Sequence, residues 1–101
     1  MPLTPAQRLF VALDTPDAGK ASTLAAALAP VGCGLKLGLE FFSANGPEGV
    51  RKVTTAAPNA ALFLDLKFHD IPNTVAGAVR AVVPLQPAIL NVHAGGGPAM
   101  L

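Results

Sequence analysis

Four short apolar runs are spaced along the chain, Leu9 to Asp14, Gly34 to Gly38, Ala61 to Lys67 and Ala88 to His93. Each has strand length and alternates between two faces. Helical patterns follow the first three. Thr15-Pro16-Asp17 supplies an N-cap, a proline at the first helical position and an early acid, and the pattern runs through Leu24 and Leu28 to a stop at Pro30. Glu40 to Ala44 reads as a short helix, and Pro47 to Ala57 as a longer one closed by Pro58. Pro72 opens a third pattern through Val75, Val79, Val82 and Val83 that ends at Pro84. Gly95-Gly96-Gly97 reads as a tight turn toward a fourth helix.

The runs start at residues 9, 34, 61 and 88, intervals of 25, 27 and 27. Regular alternation of strand and helix predicts an α/β fold with a parallel sheet. Eight units of this size would total the ~250 residues of a (β/α)8 barrel. The spacing alone leaves a doubly wound sheet open. The expected fold is therefore the first four units of a (β/α)8 TIM-type barrel, with residues 1–101 forming a single partial domain, the amino-terminal half. Its first and last strands would then be open edges, inviting self-association.

Face by face, Leu9, Val11 and Leu13 alternate with Phe10, Ala12 and Asp14, and Lys36 lies between Leu35 and Leu37. Leu62, Leu64, Leu66 and Phe68 oppose Asp65 and Lys67, while Leu90 and Val92 oppose Asn91 and His93. Helices must cover the aliphatic face. The polar groups then point into the barrel at the carboxyl ends of their strands, where barrel active sites are built.

Composition narrows the partners. The 101 residues are 51% hydrophobic and 13% charged with a formal net charge of +1, and they contain no Lys/Arg run, so neither nucleic acid nor an anionic membrane is an expected partner. No apolar run reaches the ~18 residues of a membrane span, and Met1 to Arg8 lack a signal-peptide core. The lone Cys33 can form no internal disulfide and reads as a buried thiol in a reducing, cytoplasmic setting.

Asp14, Lys36, Asp65, Lys67 and Asp70 are expected to converge on one mouth, three acids with two bases. Such a set can be an ion-pair network filling a polar barrel top, or a catalytic centre in which a lysine between two carboxylates is held charged and in place. His69 reads as a solvated or loop-packing side chain. His93 reads as an inward, hydrogen-bonded one, and two histidines without an acid cluster at ligand spacing make a poor zinc site.

The run Asp65-Leu66-Lys67-Phe68-His69-Asp70-Ile71-Pro72-Asn73-Thr74 resembles the Asp-x-Lys-x-x-Asp-Ile-Pro-Asn-Thr signature of the orotidine 5'-monophosphate decarboxylase family. Asn91-Val92-His93-Ala94 on the next strand strengthens the likeness, which extends from Leu9 onward but covers only the first half of the family's usual length. The resemblance implies decarboxylation of orotidine 5'-monophosphate to UMP and carbon dioxide, in pyrimidine biosynthesis, with neither metal nor organic cofactor. It implies Lys67 as proton donor to C6, Asp65 facing the departing carboxylate, and Lys36 and Asp70 completing a Lys-Asp-Lys-Asp array. Asp14 and Lys36 would hold the ribose, with Ile71 and Thr74 also at the substrate. Asp70 and Thr74 would serve the neighbouring subunit of a homodimer.

Two other readings stand beside it. The Asp-x-Lys-x-x-Asp core is shared with magnesium-dependent sugar-phosphate decarboxylases and aldolases of the same superfamily, although Ile71-Pro72-Asn73-Thr74 points to the orotidylate enzymes. The chain could also be a non-catalytic, self-associating half-barrel. As half of a barrel it is expected to have little activity alone, since barrel phosphate sites usually lie after strands seven and eight.

Overall fold

The computed structural model describes residues 2–101. Strand β1 (Phe10–Ala12) leads to helix α1 (Ala18–Leu28), β2 (Gly34–Gly38) to α2 (Leu39–Ala56), and β3 (Leu62–Phe68) to α3 (Pro72–Val82) before β4 (Ile89–Val92). All pairings are parallel and the strand order is β1-β2-β3-β4. Sequential order with the helices on one face is the winding of a (β/α)8 barrel. A doubly wound sheet instead reverses strand order at a switch point and carries helices on both faces.

The helix-covered face holds the core. Leu13, Leu35, Leu37, Leu62, Leu64 and Leu66 pack against Ala21 and Ala25 of α1 and Phe41, Val50 and Val53 of α2. Cys33 is buried, as expected. On the other face Phe10 and Phe63 meet edge to face with ring centroids 5.9 Å apart, and Ile89 beside them is exposed. No helix among the described residues is long and apolar enough to cross a membrane.

The outer strands are shorter than the apolar runs that predict them. Their pairing nonetheless continues past the ends: Gly34 N donates to Leu9 O at 2.8 Å and Leu13 N to Lys36 O at 3.0 Å. Beyond Leu13 the chain turns, with Thr15 N bonded to Leu13 O, so Asp14 sits on the loop after β1.

The cap of α1 differs from expectation. Asp17, not Thr15, is the N-cap; its Oδ1 accepts from Lys20 N at 3.0 Å, and Pro16 lies in the loop ahead of the helix. Thr15 Oγ1 accepts instead from Asp17 N at 3.1 Å, which holds the capping residue in place. The Lys20 N–H bond lowers the Asp17 carboxyl from its usual range.

The two helical segments expected after β2 are present as halves of α2, divided at Gly46 (φ 63°, ψ −166°) immediately before Pro47. Left-handed φ favours glycine, and proline suits the start of the second half. Asn45 Nδ2 ties this break to the loop ahead of α1, donating to Pro16 O at 2.7 Å. The third helix begins at Pro72, as its sequence signals. Gly95 and Gly96 form a short 3-10 turn, Ala94–Gly96, and Gly97 follows with φ 89°.

Candidate active site

Asp65 is the hub of the polar cluster at the carboxyl ends of β2, β3 and β4. The residue is only 7% exposed, and three donors reach its carboxylate. Lys36 Nζ lies 2.9 Å from Oδ2, while Lys67 Nζ and Asn91 Nδ2 each lie 2.7 Å from Oδ1. Burial alone would raise its pKa. The bond from Lys67 Nζ, followed by those from Asn91 and Lys36, outweighs that and holds the carboxyl well below the usual carboxylate range. Lys36 responds in the opposite sense: its bond to Asp65 raises its pKa against desolvation, with smaller help from the charges of Asp65 and Asp14.

Asp14, Thr15, Lys36, Glu40, Asp65 and Lys67 border one cavity of about 350 Å³. The arrangement thus brings together four of the five charged residues that the sequence places at one mouth. Asp65 lies between the ammonium groups of Lys36 and Lys67, the order of the first three members of the Lys-Asp-Lys-Asp array, but among the described residues Lys67 pairs with Asp65 alone and not with a second carboxylate. Asp70 is past the end of β3, makes no ion pair among the described residues, and turns Oδ1 back onto Ile71 N at 2.7 Å. Asp70 and Thr74 instead share with Lys67 a second cavity of about 230 Å³. Ile71, the N-cap of α3, and Thr74 in its first turn are both exposed.

Sequence reasoning assigned no role to Asn91. Its inward position on β4 was legible, but the irregularity of β3 that it answers was not. The two histidines stack with ring centroids 4.5 Å apart and planes 7° from parallel. His93 is exposed rather than enclosed, and its Nδ1 accepts from Gly95 N at 3.0 Å.

The family model described as "Orotidine 5'-phosphate decarboxylase / HUMPS family" matches residues 7–101. The chain belongs to this family. It is 64% identical over 93 residues to an orotidine 5'-phosphate decarboxylase of Rhodospirillum rubrum, a match covering 92% of this chain and 37% of the relative. It is 56% identical over 93 residues to one from Sphingopyxis alaskensis, covering 92% and 41% respectively. Among solved structures, an orotidine 5'-phosphate decarboxylase from Pyrococcus horikoshii superposes with a TM-score of 0.81 at 22% identity, over 91% of this chain and 44% of that one. An uncharacterized conserved protein from Geobacillus kaustophilus superposes with a TM-score of 0.80 at 36% identity, over 90% and 41%. The chain therefore spans about two fifths of the length of its curated relatives.

Membership in the decarboxylase family and the (β/α) fold agree with the strand-by-strand reading. Among the described residues, no three His, Cys, Asp or Glu side chains form a group able to hold a metal ion.

Proposed function

We propose that these residues supply half of an orotidine 5'-monophosphate decarboxylase site, within the amino-terminal half of a barrel domain. The observation that carries the reading is the Asp65 carboxylate bridged by Lys36 and Lys67 at the open ends of adjacent strands. A substrate carboxylate placed beside Asp65 is repelled, and the repulsion ends as carbon dioxide leaves. The C6–carboxylate bond breaks, its electron pair stays on C6, and Lys67 Nζ donates a proton there to give UMP. The neutral amine of Lys67 then regains a proton from solvent. Lys36 keeps Asp65 ionised and, with Asp14 on the same cavity wall, faces the ribose. No cofactor enters these steps.

Magnitudes limit what the cluster does alone. Two unit charges at ~4 Å interact by ~4 kcal/mol at an effective dielectric of ~20. The most demanding reactions require ~20 kcal/mol of barrier lowering. Binding energy from remote groups, the phosphate above all, must supply much of the rest. Barrel phosphate sites usually lie after strands seven and eight, so the 101 residues alone are expected to turn over weakly. Asp70 and Thr74, exposed on the α3 side of Lys67, would complete the site of a second subunit in a homodimer. The setting we infer is cytoplasmic.

A chimera tests this reading. The 101 residues, replacing the matching segment of the Rhodospirillum rubrum relative, are expected to release carbon dioxide from orotidine 5'-monophosphate in the presence of EDTA. A folded chimera without turnover, or one that requires magnesium, overturns it; the second result favours the magnesium-dependent branch of the superfamily.

A further inference from the structure

Strand β3 is irregular where its chemistry lies. Leu64 pairs with Leu90 and Phe68 with Val92, so Asp65, Leu66 and Lys67 together stand opposite the single residue Asn91. Two extra residues in one strand make a bulge, and a bulge leaves backbone groups without ladder partners. Lys67 takes up the excess with φ 51°, a left-handed conformation that is unfavourable for a residue carrying a β-carbon. Such a backbone persists only where its surroundings over-determine it.

The Asn91 amide meets both needs of this bulge. Its Oδ1 accepts from Lys67 N at 2.9 Å, replacing a lost ladder bond, and its Nδ2 donates to Asp65 Oδ1 at 2.7 Å. The same Oδ1 of Asp65 accepts from Lys67 Nζ. One side chain on β4 therefore grips the backbone of the lysine and the carboxylate to which that lysine is paired. Regular pairing resumes directly beyond it, where His93 N donates to Phe68 O at 2.8 Å.

We propose that Asn91 is a positioning residue: by clamping the β3 bulge it fixes where Lys67 Nζ stands relative to the Asp65 carboxylate. The inference rests on the decarboxylase reading only for its catalytic consequence. An aliphatic residue at 91 would satisfy neither group. Aspartate would still accept from Lys67 N but would set a second carboxylate against Asp65.

The test uses Asn91→Ala and Asn91→Asp in the 101-residue chain, read by amide hydrogen exchange and by the pH titration of the Asp65 carboxyl carbon in NMR. In Asn91→Ala, exchange at the Lys67 amide is expected to rise at least about tenfold relative to Leu64 and Phe68, and the Asp65 midpoint to move upward. Asn91→Asp should retain Lys67 amide protection while raising the Asp65 midpoint further, a pattern that a purely structural role does not produce. Unchanged Lys67 exchange and Asp65 titration in both variants overturns the proposal, and if Asn91→Ala does not fold, the aspartate variant decides alone. In the chimera, Asn91→Ala should lower kcat about 10²-fold, the scale of a 1 Å misplacement, with KM nearly unchanged. An inactive parent chimera would overturn the decarboxylase reading while leaving the exchange and titration results to judge Asn91.

Discussion

Lys36 and Asp65 touch at 2.9 Å although they are not opposite one another in the sheet. Lys36 is in register with Phe63, and Gly38 with Asp65. The lysine side chain therefore runs along its strand for two residues, roughly 6.6 Å, to reach the carboxylate. The pair brings two loop-proximal charges to the barrel mouth from strands 29 residues apart in sequence.

Asp65 should govern acid stability. Its folded pKa is depressed, so it stabilises the fold above the unfolded carboxyl value of ~3.9, and that contribution is lost as pH falls through and below this value. Urea unfolding between pH 7 and 2 is expected to show this loss in the wild-type chain and a flatter profile in Asp65→Asn. At neutral pH the variant should be less stable by about 1–3 kcal/mol, from lysines that lose a charged partner.

Lys36 has the opposite dependence. Its folded pKa is raised, so its contribution is complete below the unfolded value of ~10.4 and disappears as pH rises through the folded one. Lys36→Met should remove that alkaline component from unfolding curves measured between pH 8 and 12. An identical alkaline slope in the variant would show that other groups set it.

Lys67→Ala separates chemistry from stability. Its side chain is 63% exposed and Asp65 keeps Lys36 and Asn91 as donors, so the unfolding midpoint should fall modestly, whereas loss of the proton donor should reduce carbon dioxide release by about 10²–10⁴-fold or more. Turnover within tenfold of the parent chimera would remove Lys67 from the proposed role.

The proposed sharing of Asp70 between subunits predicts complementation. Asp70→Ala and Lys67→Ala chimeras, each nearly inactive, should recover up to about one quarter of parental turnover when mixed, because half the dimers are mixed and each has one intact site. Recovery should follow the rate of subunit exchange. No recovery despite measured exchange would confine Asp70 to its own subunit.

Gly46 reports on the division of α2. Gly46→Ala adds only a methyl group but forces a β-carbon onto a positive-φ backbone (φ 63°, ψ −166°) that glycine alone adopts readily, at a cost of about 1–3 kcal/mol. The effect should appear in the thermal midpoint. Since open space surrounds the would-be β-carbon, backbone strain rather than crowding would be its cause.

Much of this architecture was legible because the chain obeys local rules consistently. Period-two alternation identified the four strands, proline and glycine marked the helix limits, and the aliphatic leucines declared which face the helices would cover. The cap of α1 was misplaced by two residues because Thr15 and Asp17 are both good caps, and only the path of the chain decides which oxygen meets Lys20 N. The sequence also placed Asp14, Lys36, Asp65 and Lys67 at one end of the sheet, since charge at a strand's carboxyl end has few other places to go.

Tertiary structure decided how those charges pair. A period of two puts Asp65 and Lys67 on the same face, but the bulge, the left-handed backbone of Lys67 and the double grip of Asn91 arise between strands, from a mismatch of three residues against one. Asp70 illustrates the same limit: its spacing suggested a place in the cluster, while the turn into α3 directs its carboxylate to Ile71 N. Local sequence determined which elements form and which faces they bury, because those choices depend on near neighbours along the chain. The order of charges in the site depends on hydrogen bonds across β2, β3 and β4, and these exist only once the sheet has assembled.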